Sequence, residues 1–289
     1  MKIFKYFVEF VIVLSLFTTF KIIGLQNASF MGSYLAKVFG PLFRSKKIIE
    51  KNLNICFKKI DQKEIKKISL GMWDNIGRTF SEYVFLKNFH KNHNDLIKLN
   101  GTEYLDEIKK SNKPVVFVSG HFANFELMAM QLNTYGIKFA TMYRPLNNLF
   151  LDPILEYLRL KYVCPFLIKK GRSSMRELLN KIKNGYSIAM LVDQRTSEGK
   201  KVELFNFPAL TTTVPAQISL RFNCKIVPLY IERLSNSNFE VTIYKPIEFK
   251  KSGNYEKDTY DLTLEINKQL EKMILKRPEQ WLWSHNRWK

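Results

Sequence analysis

Val115-Val116-Phe117-Val118-Ser119-Gly120-His121-Phe122-Ala123-Asn124-Phe125-Glu126 brings a base and a carboxylate together behind an apolar, strand-like run. His121 is one of only four histidines in the chain. In a continuous helix, positions five apart lie about 140° apart around the axis, so His121 and Glu126 would not share a face. They meet if His121 sits in the loop after the strand and Glu126 in the first turn of the next helix, with Asn124 as its N-cap. One ring nitrogen would then meet Glu126 and the other would face outward as a base, the arrangement of general acid–base catalysis. The same spacing also suits a carboxylate that only complements a helix dipole and a histidine that only closes a turn.

Other strand ends carry chemistry-bearing residues. Tyr143-Arg144-Pro145 follows a run at 138–143, and Lys169-Lys170-Gly171-Arg172-Ser173-Ser174 follows one at 165–168 and opens a helix. Asp193-Gln194-Arg195 follows a run at 187–192. In open α/β sheets, ligands bind beyond the carboxyl ends of the strands. Lys169, Lys170 and Arg172 at a helix start suit a phosphate or another anion. The spacing is not that of a P-loop, and no strand is followed by GxGxxG. HExxH, paired cysteines and GxSxG are also missing from the sequence. The expected reaction uses a base and charge stabilisation, with no metal, cofactor or covalent nucleophile.

Positioning these residues requires alternating elements. Strand-like runs at 114–118, 138–143, 165–168, 187–192, 225–231 and 239–244 are separated by helical patterns near 124–135, 147–162, 173–184 and 214–223. The alternation predicts an α/β fold with a central mixed, partly parallel sheet flanked by helices. A last helix is expected from Asp258 to Ile274, ended by Pro278. Upstream, Asp61-Gln62-Lys63-Glu64 reads as a capping box. It opens an amphipathic helix through Ile65, Ile68, Met72, Trp73, Ile76, Phe80, Tyr83 and Val84. Residues 26–58 read as a surface helix near a membrane. Residues 87–100, with His90 and His93, read as a solvated loop.

The net charge of +20 favours anionic partners: nucleic acid, anionic lipid or an acidic carrier protein. Cys56, Cys164 and Cys224 are scattered and odd in number, which argues against a zinc site or a disulfide framework and for a reducing compartment. The N-terminus favours lipid. Phe10–Phe20 is uncharged, but the segment reaches the roughly 20 apolar residues of a spanning helix only by including Glu9 or Lys21. A transmembrane anchor, an interfacial helix and a signal peptide compete. Without a small-x-small cleavage site we disfavour the last, and expect a hydrophobic membrane-anchor helix with the main domain on the cytoplasmic side.

The ordered blocks resemble a known family. His121-Phe-Ala-Asn-Phe-Glu126 resembles the Hxxxx(D/E) box of the glycerolipid and lysophospholipid acyltransferase superfamily. With Tyr143-Arg144-Pro145-Leu-Asn147-Asn148, Lys170-Gly171-Arg172, Leu191-Val192-Asp193-Gln194, Phe205-Asn-Phe-Pro-Ala209 and the Arg277–Lys289 ending, the chain resembles the bacterial late acyltransferases of lipid A biosynthesis over roughly 60–289. The resemblance implies transfer of a fatty acyl chain from an acyl carrier protein thioester to a hydroxyacyl chain of a phosphorylated lipid A precursor. His121 would be the general base, oriented by Glu126. It assigns Arg144 to a substrate phosphate or the oxyanion, and Asp193 to orienting a basic residue or a sugar hydroxyl. The family's arginine near 159–163 has no counterpart in register, so Arg159 or Lys161 would replace it. Asn286 stands where an arginine is common, and His285 is expected to be structural among Trp281, Trp283 and Trp288.

The division implied is a membrane anchor at 1–25 and an acyltransferase domain at 26–289. The latter would be helical over 26–100 and α/β over 101–289. The setting would be the cell inner membrane, with an anionic bilayer as partner and no nucleic acid. A lysophosphatidic acid or glycerol-phosphate acyltransferase and a non-enzymatic basic membrane- or RNA-binding protein are the alternatives.

Overall fold

The computed structural model describes residues 2–171 and 173–289. The chain opens with α1 (Lys2–Phe43), which breaks direction at Gly24, then α2 (Lys46–Cys56) and α3 (Gln62–Glu82). Asp61 caps α3 as its sequence predicts, accepting from the Glu64 amide at 2.7 Å. Residues 26–58 thus contribute the second half of α1 and all of α2. The α1 and α3 backbones touch where Gly32 meets Gly77: a Cβ on Gly32 would lie 2.4 Å from the Gly77 carbonyl oxygen.

After a 3₁₀ turn at Tyr83–Phe85 come α4 (Leu86–Lys91), α5 (His93–Leu96), β1 (Ile97–Asn100) and α6 (Thr102–Ser111). His90 and His93 are half-buried in α4 and α5, and Ile97–Asn100 is a strand, so 87–100 is not a solvated loop. A four-residue edge strand with one buried side chain is too short to show a period. Then follow β2 (Val116–Ser119), α7 (Glu126–Thr134), β3 (Phe139–Tyr143), α8 (Asp152–Tyr162), β4 (Leu167–Lys169), α9 (Ser174–Lys183) and β5 (Ser187–Leu191). A hairpin, β6 (Lys200–Leu204) and β7 (Phe207–Thr211), precedes α10 (Val214–Phe222), β8 (Ile226–Arg233), β9 (Phe239–Ile243) and α11 (Tyr255–Lys276).

The sheet order is β1-β9-β8-β2-β5-β3-β4. Every neighbouring pair is parallel except β8 with β9, so the expected mixed, partly parallel α/β sheet is present, and most of it is parallel. Right-handed crossovers put α7 and α8, which lead outward from β2, on one face. They put α9 and α10, which lead back, on the other. The carboxyl ends of β2, β3, β4 and β5 therefore share one edge, and the site lies along it.

A buried ion pair ties the helical layer to the sheet. Arg233, at the end of β8, donates through Nη1 and Nη2 to the Glu82 carboxylate at the end of α3, and both side chains are buried. Removing one partner of such a pair leaves the other charged and unsolvated, at a cost of about 3–5 kcal/mol. Arg233→Met is expected to lower stability by that order, read as a reduced denaturant midpoint for detergent-solubilised protein; an unchanged midpoint would contradict it.

Candidate active site

The loop after β2 is built around two close approaches. At Gly120 a Cβ would lie 2.9 Å from the Phe122 ring and 3.1 Å from the Asp193 carboxyl carbon, so any larger residue would press on both. Ala123 adopts a left-handed backbone, φ 40°. Such a conformation costs on the order of 1–3 kcal/mol and persists only where the surroundings over-determine it. Here they do. Its N–H donates to the Gln280 carbonyl (3.0 Å), and its carbonyl accepts from Thr79 Oγ1 (3.1 Å) and Asn75 Nδ2 (3.3 Å). Next to it, Asn124 Nδ2 donates to Glu82 Oε2 at 3.0 Å. Asn124 is therefore not the N-cap of α7: its side chain is drawn inward by a buried carboxylate.

His121 is held by Asp193. Asp193 follows β5, the immediate neighbour of β2, and the Val192 amide still bonds to the Ser119 carbonyl at 2.9 Å. One Asp193 oxygen lies 2.8 Å from His121 Nδ1. The other accepts from the His121 backbone N–H and from Trp281 Nε1, each at 2.8 Å. Burial pushes the Asp193 pKa up, but the His121 charge and these hydrogen bonds outweigh it and bring it down to about 2. Burial lowers the His121 pKa, yet the Asp193 charge and hydrogen bond, with a further contribution from Glu126, hold it above the ordinary value. An ionised Asp193 accepts the Nδ1 proton, so neutral His121 keeps its free lone pair on Nε2. Gln194 Nε2 lies 3.4 Å from that nitrogen.

The expected His121–Glu126 hydrogen bond is replaced by this pair. Glu126, the first residue of α7, is buried and turned toward α8. Tyr83 Oη donates to Glu126 Oε1, and Arg159 donates to the same oxygen through Nε (2.9 Å) and Nη2, which also reaches Tyr83 Oη at 3.1 Å. Burial lowers the Arg159 pKa, but Glu126 and Tyr83 more than reverse it, so the guanidinium stays charged. The reason for the exchange is sheet topology: β5 brings a carboxylate to His121 from 72 residues away in sequence.

A cavity of about 560 Å³ opens at this edge, a volume within the range of small-molecule sites. His121, Glu126, Arg144, Arg159, Lys170 and Arg195 line its polar part. Met128, Ala129, Leu132, Val163, Leu167 and Ala189 line an apolar part under α7 and α8. Arg144 is exposed at the rim. Of the two candidates near the end of α8, Arg159 faces the cavity. Lys161 points to the surface, bonded to Tyr157 Oη at 2.6 Å, because residues two apart on a helix face different ways. Arg172 lies outside the described residues.

Three further residues belong to the site. His285 lines the cavity and accepts from the Arg195 backbone N–H through Nε2 at 2.9 Å, so it is more than packing among tryptophans. Burial lowers its pKa. Arg195 also presents a buried Nε without a hydrogen-bond partner among the described residues. In the sequence Tyr83 is one position of an amphipathic stripe, and nothing local marks it as the residue that meets Glu126.

The mostly parallel sheet thus holds a carboxylate-bound histidine at its carboxyl edge, above a pocket with a basic rim and an apolar interior. The family model for bacterial lipid A biosynthesis acyltransferases matches residues 1–289, and the chain belongs to that family. It is similar to the lipid A biosynthesis palmitoleoyltransferase of Escherichia coli (strain K12), 24% identical over 270 residues, covering 90% of this chain and 84% of that one. It is likewise 24% identical over 255 residues to the lauroyltransferase of the same organism, covering 85% and 79%. With the acyltransferase of Haemophilus influenzae it shares 25% over 268 residues, covering 87% and 82%.

Proposed function

We propose that this protein transfers a fatty acyl chain from an acyl carrier protein thioester to a hydroxyl on a hydroxyacyl chain of a phosphorylated lipid A precursor, at the cytoplasmic face of the inner membrane. The observation that carries the reading is His121. Its Nδ1 is bound by ionised Asp193, and its Nε2 is left for a cavity that is basic at the rim and apolar within.

In this reading Nε2 removes the acceptor hydroxyl proton as the oxygen attacks the thioester carbonyl. The tetrahedral oxyanion collapses and breaks the carbon–sulfur bond. The thiolate leaves with the proton that His121 had taken. Asp193 keeps the imidazole in the Nδ1–H tautomer and stabilises the imidazolium. Glu126 adds negative charge nearby and holds Arg159 in place. Arg159 and Arg144 are the cations for the oxyanion and a substrate phosphate. The apolar part of the cavity takes the acyl chain. The family membership supports the lipid A substrate class, and the net charge of +20 suits an acidic carrier, a phosphorylated acceptor and an anionic leaflet.

The test is an assay of purified protein with a panel of acyl carrier protein thioesters and a lipid A precursor, read by mass spectrometry. One added acyl chain on the precursor is expected. Transfer to lysophosphatidic acid or glycerol phosphate but not to the precursor would overturn the reading. So would equal rates for wild type and Glu126→Gln, in which the Arg159 anchor is weakened.

A further inference from the structure

The first half of α1, before the break at Gly24, is long and apolar enough to cross a bilayer, yet its contacts run the wrong way for a crossing helix. Near its start, the Tyr6 carbonyl and Glu9 Oε2 accept from Asn148 Nδ2 at 2.9 and 3.1 Å. Phe7 and Phe10 pack on Phe150, with ring centroids 5.8 and 5.7 Å apart. Near its end, Phe17 packs on Phe80 of α3 at 5.2 Å, and Lys21 Nζ reaches the Val84 carbonyl at 3.4 Å. Residues 6 and 21 are about 22 Å apart along a helix axis. The catalytic domain follows α1 over that whole distance.

A spanning α1 would therefore carry the loop after β3, with Asn148, and the start of α8, with Asp152, into the hydrocarbon. Irregular backbone exposed to lipid does not occur there. The helix is also two-sided. Tyr6, Phe10, Phe17 and Phe20 face the domain, while Phe4, Val8, Val11 and Ile12 are exposed, each more than 40%. Beside them, Leu146 and Leu149 of the cavity-rim loop are 42% and 51% exposed. The exposed Ser15, Thr18 and Thr19 hydroxyls donate to carbonyls four residues back, so they present little polarity to lipid. Lys2 and Lys5 lie exposed near the start of the helix and suit anionic headgroups.

We infer that α1 does not cross the bilayer: it lies along one leaflet, and Leu146 and Leu149 enter the same interface beside it. The lipid-facing surface then continues from α1 to the loop that carries Arg144, and the cavity mouth opens at headgroup level. An acyl-chain-bearing acceptor reaches His121 by lateral movement, without leaving its leaflet. The inference rests on the bilayer association in the function proposed above, but not on the transfer reaction.

The experiment is a topology measurement on the full chain carrying Cys56→Ser, with Lys2→Cys or, as the domain reference, Lys183→Cys. Spheroplasts are treated with a membrane-impermeant maleimide before and after permeabilisation. The expected result is that both positions react only after permeabilisation. Labelling of Lys2→Cys, but not Lys183→Cys, in intact spheroplasts overturns the inference, because the N-terminus would then be on the far side. In a second arm, Leu149→Cys is spin-labelled in nanodiscs of phosphatidylglycerol and phosphatidylethanolamine. Collision with oxygen is expected to exceed collision with a water-soluble nickel complex; the reverse order overturns the rim contact. Neither readout uses turnover, so a failed transfer assay and a failed topology are told apart.

Discussion

Replacing His121 by alanine is expected to lower turnover by about 10²- to 10⁴-fold, the usual contribution of a positioned general base. Binding should change little, because the side chain that contacts the acceptor proton is not the one that holds the acyl chain. The backbone N–H of residue 121 still reaches Asp193, and Trp281 still donates to it, so the loop keeps its anchors. The measurement is kcat and KM for acyl transfer, with a thermal unfolding curve as a control. A folded His121→Ala protein with wild-type kcat would remove the base from the mechanism.

Asp193→Asn is expected to be comparably severe, about 10³- to 10⁴-fold in kcat, on the precedent of an aspartate that fixes a catalytic histidine tautomer. An asparagine can present its NH₂ to Nδ1, which would then carry the lone pair and leave the proton on Nε2, the wrong way round for a base. The pH profile supplies a second, independent readout. His121 acts when neutral, and Asp193 holds its pKa up. The acid limb of kcat/KM should therefore lie above the ordinary histidine value of about 6.5. In Asp193→Asn, burial is no longer opposed by that charge and the limb should move to lower pH, even as the plateau falls. Glu126→Gln should move it in the same direction but by less, since Glu126 acts on His121 only through space while Asp193 touches it. A larger shift from Glu126→Gln than from Asp193→Asn would restore Glu126 as the orienting group.

Much of the fold follows from pattern. Strands β2, β3, β4, β5, β8 and β9 each overlap an apolar run legible in the sequence, and each is followed by a helix or a loop with turn residues. What escaped were the short or atypical elements. β1 has four residues on a sheet edge, and the β6–β7 hairpin turns through Phe205 and Asn206, both with left-handed backbones that no Asn-Gly pair announces. The site was half legible. His121, Glu126, Arg144 and Asp193 stand at strand or helix ends, where a parallel sheet gathers ligands; the first three line the cavity, and Asp193 bonds His121 from behind. Their pairing was not legible, and neither was the part played by Tyr83.

The sequence by itself determined that a base, a carboxylate and several cations would stand at the carboxyl edge of an α/β sheet, and its ordered blocks pointed to the acyltransferase family. Those are properties of local order, set by residues a few positions apart. Only the tertiary structure decided which carboxylate meets which nitrogen. Two carboxylates were available to His121, one five residues away and one 72. Strand adjacency put the distant one in contact, and a left-handed residue at Ala123 turned the near one toward Arg159. Spacing along a chain limits where a side chain can reach; the choice among reachable partners is made by the packing of elements that the spacing does not contain.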